Sequence, residues 1–172
     1  MEGKPVVVEV YAPGERVELR VNGTCIGSQP SGSTAGYRAL FETTYQPGTI
    51  EAIAYEGENE LGRMTLQTAE EGEKLHADVT PGKSRELFFV EITNCDAAGR
   101  VITDREVVLH YETSSDAFIR FGSGNPKTEY PYITAETKTW HGRALLIVRK
   151  KEAEEKVNLK IGSENQMLSL VL

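Results

Sequence analysis

Arg16-Val17-Glu18-Leu19-Arg20-Val21-Asn22-Gly23-Thr24-Cys25-Ile26-Gly27 is the stretch from which the rest of the chain is read. Val17, Leu19 and Val21 alternate with Glu18, Arg20 and Asn22, the two-residue period of a strand with one buried and one wet face. Asn22-Gly23 follows at once, and this dipeptide tolerates positive φ at both central positions of a tight hairpin turn. Cys25 and Ile26 then start the returning strand. Asn22-Gly23-Thr24 also spells an N-glycosylation acceptor, but the turn accounts for these residues without one.

The same period recurs along the chain. Val157, Leu159 and Ile161 alternate with Lys156, Asn158 and Lys160, and no window of helical length keeps a three-to-four spacing. Strands are expected near 5–11, 16–22, 24–27, 37–44, 48–55, 61–68, 73–80, 86–94, 105–112, 116–121, 132–140, 143–150, 155–161 and 166–172. Spread over 172 residues, that is about 12 per strand and turn, the spacing of antiparallel sandwiches and too short for helical crossovers. Pro13-Gly14, Pro47-Gly48 and Pro81-Gly82 punctuate the runs as turns. The predicted fold is all-β, in two sandwiches.

A polar, acidic segment from Thr68 to Lys74 separates two groups of strands, which predicts one domain over 1–72 and another over 73–172. The first carries 5 basic and 11 acidic residues, the second 14 and 15. At its size the first domain holds only a modest core, so a packed neighbour is expected. The whole chain has a net charge of −7, which repels phosphate backbones and anionic lipid, so neither nucleic acid nor membrane is an expected partner. No run approaches the ~18 apolar residues of a spanning helix, no signal-peptide pattern opens the sequence, and a cytoplasmic location is expected.

Chemistry is sparse. Cys25 and Cys95 stand far apart with no neighbouring ligand-spaced Cys or His, which predicts two buried free thiols and neither disulfide nor zinc. His76, His110 and His141 lie in no catalytic or metal motif; His110 belongs to a strand and His141-Gly142 to a turn. No catalytic residue, cofactor site or metal site is assigned. Phe121-Gly122-Ser123-Gly124-Asn125-Pro126 lacks the Lys-Ser/Thr and the helix of a phosphate loop, so it is expected to be a tight turn with positive φ at one or both glycines. The mixed charges of Arg149 to Lys156 are expected at a solvated hairpin tip. Trp140 with Tyr130 and Tyr132 forms the best local aromatic group. Rings offer apolar faces to a pyranose, so these three are the candidate carbohydrate contacts, although a lone tryptophan is more often a core or interdomain anchor.

An ordered series of motifs then adds a resemblance. Val17-Glu18-Leu19 with Asn22-Gly23 and Gly27 is similar to a hairpin that follows the catalytic barrel in family 2 glycoside hydrolases of the β-galactosidase type. Tyr45-Gln46-Pro47-Gly48-Thr49-Ile50-Glu51-Ala52-Ile53-Ala54-Tyr55, Thr68-Ala69, Gly122-Ser123-Gly124-Asn125-Pro126 with Glu129, and Trp140-His141-Gly142-Arg143-Ala144-Leu145-Leu146-Ile147-Val148-Arg149 resemble later elements of that family in the same order. The resemblance implies two tandem immunoglobulin-like sandwiches, the non-catalytic C-terminal portion of a larger glycosidase whose catalytic glutamates lie on a barrel not matched here. It implies as partners the barrel and upstream domains of the parent chain, with a carbohydrate or a second copy as further candidate contacts and no cofactor. The competing reading is a stand-alone carbohydrate-binding or adhesion module.

Overall fold

The computed structural model describes residues 2–172. Among these residues the regular structure is fourteen strands and one three-residue 3-10 turn, Ser33–Ala35, and all strand pairing is antiparallel. The chain forms two compact units that divide between Thr68 and Ala69.

The first unit contains β1 (Pro5–Tyr11), β2 (Arg16–Val21), β3 (Thr24–Pro30), β4 (Arg38–Thr44), β5 (Thr49–Glu56) and β6 (Asn59–Gln67). Four of these form one sheet in the order β3-β2-β5-β6, and β1 pairs with β4 in a second. Alternation decides the faces. Val17, Leu19 and Val21 lie opposite Ala54, Ala52 and Ile50, and the last two in turn oppose Met64 and Leu66 of β6. Val8 and Val10 of β1, with Ala39 and Phe41 of β4, pack onto this inner face to make the core. Two strands do not cover four. Met64 and Leu66 share the inner face yet remain 68% and 65% exposed, because no core residue overlies β6.

The turns of this unit hold one another. Asn22 and Gly23 have φ of 50° and 79°, the paired left-handed conformation expected of a two-residue hairpin. The Asn22 side chain then reaches the turn between β4 and β5, donating to the Pro47 carbonyl (3.0 Å) and accepting from the Thr49 amide (2.8 Å). Gly48, at φ 123°, leaves room for that amide; a side chain there would collide with it. On the outer face Ile53 is buried between Glu18 and Arg63, its cross-strand neighbours. Arg63 is held by Glu60 and Glu51, so its aliphatic stem lies along the sheet.

The second unit contains β7 (Lys74–Pro81), β8 (Leu87–Cys95), β9 (Val108–Thr113), β10 (Phe118–Gly122), β11 (Glu136–Lys138), β12 (Arg143–Arg149), β13 (Asn158–Gly162) and β14 (Met167–Val171). Its sheets run β10-β12-β8-β7 and β11-β9-β13-β14. Here the layers match, four strands on four. Leu75, Val90, Ile92, Ile119, Phe121, Ala144, Leu146 and Val148 from the first sheet meet Leu109, Leu159 and Ile161 from the second, all nearly inaccessible. The Tyr111 ring meets Phe121 edge-on at 5.7 Å between centroids, joining the two sheets.

Several expectations need correction. Cys25 is exposed, since β3 is an edge strand whose residues mostly face solvent, while Cys95 is buried as expected, its thiol 3.2 Å from the Lys74 carbonyl. The segment after Arg149 is not a hairpin tip, because β12 and β13 lie in different sheets and the chain crosses between them. Lys150 is buried there, its amide donating to Glu86 and its ammonium 4.7 Å from the Phe88 ring centre. The strand expected over 132–140 shortens to β11, because the Thr134 hydroxyl donates to the carbonyls of Pro131 and Glu136 and folds the chain into a turn before it. Gly122 and Gly124 have no positive φ; the glycine requirement there is one of space.

Candidate functional site

Strand β10 ends at Gly122 and the chain loops through Ser123, Gly124, Asn125 and Pro126 before running back past Tyr130 and Tyr132. The Phe121 amide donates to the Tyr132 carbonyl at 3.0 Å, which lays residue 132 beside the end of β10. The Cδ1–Cε1 side of the Tyr132 ring then occupies the place that any side chain at 122 would need. Trp140 approaches the same loop, its Cδ1 3.7 Å from where a Gly124 Cβ would stand. The structure thus brings Tyr132 and Trp140 to one glycine-rich loop, with Tyr130 preceding them on the return segment.

Their exposures differ. Tyr132 is 54% exposed and the adjacent Ile133 70%, whereas Tyr130 and Trp140 are half-buried. Trp140 is held by the His141-Gly142 turn, with φ of 47° and 74°, across which Trp140 and Arg143 exchange both backbone hydrogen bonds (2.8 and 3.1 Å). Gly142 is required twice over, because a side chain there would also run into the Ile102 carbonyl. The His141 ring stands edge-on to Trp140 at 4.5 Å. The Ser123 hydroxyl in the same loop is inaccessible and has no hydrogen-bond partner among the described residues. The Lys138 ammonium sits 2.6 Å from Glu106, which raises its pKa, with smaller contributions from Tyr130 and Glu129.

Of these groups the exposed Tyr132 ring can stack on a flat apolar ligand; they pair no nucleophile with a base. The other histidines lie elsewhere on this unit. His76 is exposed beside Asp78 (3.2 Å), and His110 is half-buried on β9. Among the described residues no three His, Cys, Asp or Glu side chains are grouped to hold a metal ion.

The strongest electrostatic feature is Asp96, which alternation could not single out. It is wholly buried at the end of β8 and accepts hydrogen bonds from the amides of Glu70 (2.8 Å), Ala98 (2.9 Å) and Arg100 (2.9 Å) and from Arg100 Nε (2.7 Å). The Glu70 amide leads in holding this carboxyl well below the usual carboxylate range. Arg100 also pairs with Glu70 at 2.7 Å, and the knot ties the segment before β7 to the β8 turn. Its role is structural: every lone pair is directed at the protein's own donors.

A family described as "Glycoside hydrolase family 2 C-terminal domain 5" matches residues 73–167, and a "Domain of unknown function (DUF4982)" matches residues 3–62. A β-galactosidase of Bacteroides ovatus is 24% identical over 161 residues, which are 90% of this chain and 19% of that protein. A family 2 glycosyl hydrolase structure from Bacteroides cellulosilyticus superposes with a TM-score of 0.91 at 25% identity, over 99% of this chain and 24% of its own. A family 2 β-glucuronidase structure shares the fold at a TM-score of 0.89 and 19% identity, over 100% of this chain and 19% of its own. The chain therefore spans about a quarter or less of the length of these relatives. Since the first of these family matches takes in β7 through β13 and more than half of all residues, this chain belongs to the glycoside hydrolase family 2 C-terminal domain 5 family.

Proposed function

We propose that this chain is the non-catalytic C-terminal region of a family 2 glycoside hydrolase acting on β-galactosides or β-glucuronides, and that it braces the catalytic barrel of that enzyme. One observation carries the reading. Met64 and Leu66 lie on the inner, core-facing side of the four-stranded sheet and yet stand bare, with Leu61 of the same strand 54% exposed. An apolar strip on the inner face of a half-covered sandwich is a surface built to be covered. The relatives named above carry more than three-quarters of their length outside the part that this chain matches, within the same polypeptide. Covalent linkage keeps such a partner at high local concentration, so even a narrow strip suffices to dock it. A brace in this position would also shape substrate entry or subunit contact.

The test compares this chain with the longer polypeptide. Covering both side chains is worth roughly 1–2 kcal/mol each. Met64→Lys with Leu66→Lys is therefore expected to lower the melting temperature of the longer polypeptide while leaving that of this chain unchanged. This chain alone is expected to hydrolyse neither nitrophenyl β-galactoside nor nitrophenyl β-glucuronide. Equal effects in both proteins, no effect in the longer one, or turnover by this chain alone would overturn the proposal.

A further inference from the structure

We infer that Tyr132, seated on Gly122 at the loop that Trp140 also approaches, is a carbohydrate-binding platform for a pyranose ring. The inference is independent of the barrel, because every group it uses lies within the second unit.

Gly122 has an ordinary strand conformation, so its backbone does not require glycine. What does is the Tyr132 ring, which takes the space a side chain would fill. A glycine at the end of β10 is thus given over to seating a ring that remains 54% exposed, which is more than covering the core requires. Seating matters to binding, because a ring already held in place loses little rotamer freedom when a ligand stacks on it. The exposed part of the ring offers an apolar surface to the C–H face of a sugar, and Ile133, next in the sequence, is exposed as well.

A polar group in the same loop suits the same ligand class. The Ser123 hydroxyl is withdrawn from water without a partner among the described residues, an expensive state that a small rearrangement toward a ligand hydroxyl would relieve. A pre-seated, exposed ring face describes a shallow sugar site and not a catalytic one. Trp140, the single tryptophan of the chain, reports on it directly.

The experiment titrates the chain with lactose, cellobiose and xylobiose to about 50 mM, the range that millimolar affinity requires, following Trp140 emission and amide chemical shifts. A saturable change is expected for at least one sugar, with shifts confined to 121–125 and 130–142. Tyr132→Ala is expected to weaken that binding by about tenfold or more, and Tyr132→Phe to keep it within about threefold. Tyr132→Leu keeps apolar bulk over Gly122 without a ring face, so it separates loss of stacking from loss of folding and should bind as poorly as the alanine variant. No saturable response to any of the three sugars would overturn the inference, as would a folded Tyr132→Leu variant that binds like the parent.

Discussion

Asn22 offers a direct test of how the first unit is held together, because its side chain and its backbone contribute separately. The side chain makes two hydrogen bonds to the neighbouring turn, to Pro47 and Thr49, at 3.0 and 2.8 Å. Both are solvent-exposed, so each is taken at the lower part of the usual range, about 0.5–1 kcal/mol. The backbone sits at φ 50°, where asparagine and glycine are tolerated and alanine costs about 1 kcal/mol or more. Asn22→Gly removes the hydrogen bonds alone and is expected to cost about 1–2 kcal/mol; Asn22→Ala adds the backbone penalty and is expected to cost about 2–3 kcal/mol. In a unit of this size 1 kcal/mol corresponds to roughly 4–8 °C in Tm. Calorimetry of parent and both variants, with residue-resolved hydrogen exchange to assign the transition to the first unit, supplies the numbers. A glycine variant as stable as the parent would show that the link between the two turns contributes nothing. Alanine and glycine variants of equal stability would show that the left-handed conformation carries no cost.

Gly122→Ala is expected to displace the Tyr132 ring, costing about 1–3 kcal/mol as an overpacked site does and changing the near-UV circular dichroism; an unchanged spectrum would contradict the packing described. Asp96 has a folded-state pKa below its unfolded value, so its contribution is fully present above about pH 4 and is lost as pH falls further through the folded value. Asp96→Asn is therefore expected to destabilise the second unit at pH 7 and to flatten the acid limb of a stability-against-pH profile measured by urea unfolding. Leu146→Ala, at the centre of the second core, is expected to cost about 2–5 kcal/mol by the same measurement. A thiol reagent should modify Cys25 within the native protein and reach Cys95 only on unfolding, which mass mapping of the labelled sites would check.

Most of the strand pattern was legible because its cause is local. Val17, Leu19 and Val21 bury one face and Glu18, Arg20 and Asn22 wet the other whatever sheet they join, and Asn22-Gly23 and His141-Gly142 adopt left-handed pairs through their own backbone preferences. The candidate aromatic residues were nameable for the same reason: rings next to a glycine-rich loop are visible in one dimension. That Tyr132 and Trp140 meet that loop was not, because the encounter depends on a return of the chain past the end of β10.

The amino-acid sequence alone determined an all-β chain, where most of its strands lie, and the Asn22-Gly23 and His141-Gly142 turns, since side-chain alternation and turn conformation are properties of neighbouring residues. Only the tertiary structure decided which strands share a sheet, why Gly122 is a glycine, why Lys150 is buried and Cys25 is not, and why Met64 and Leu66 stand bare on a face patterned for burial. Each of these depends on what is placed opposite a residue from far along the chain, and the alternation that directs a side chain inward does not say whether anything will be there to meet it.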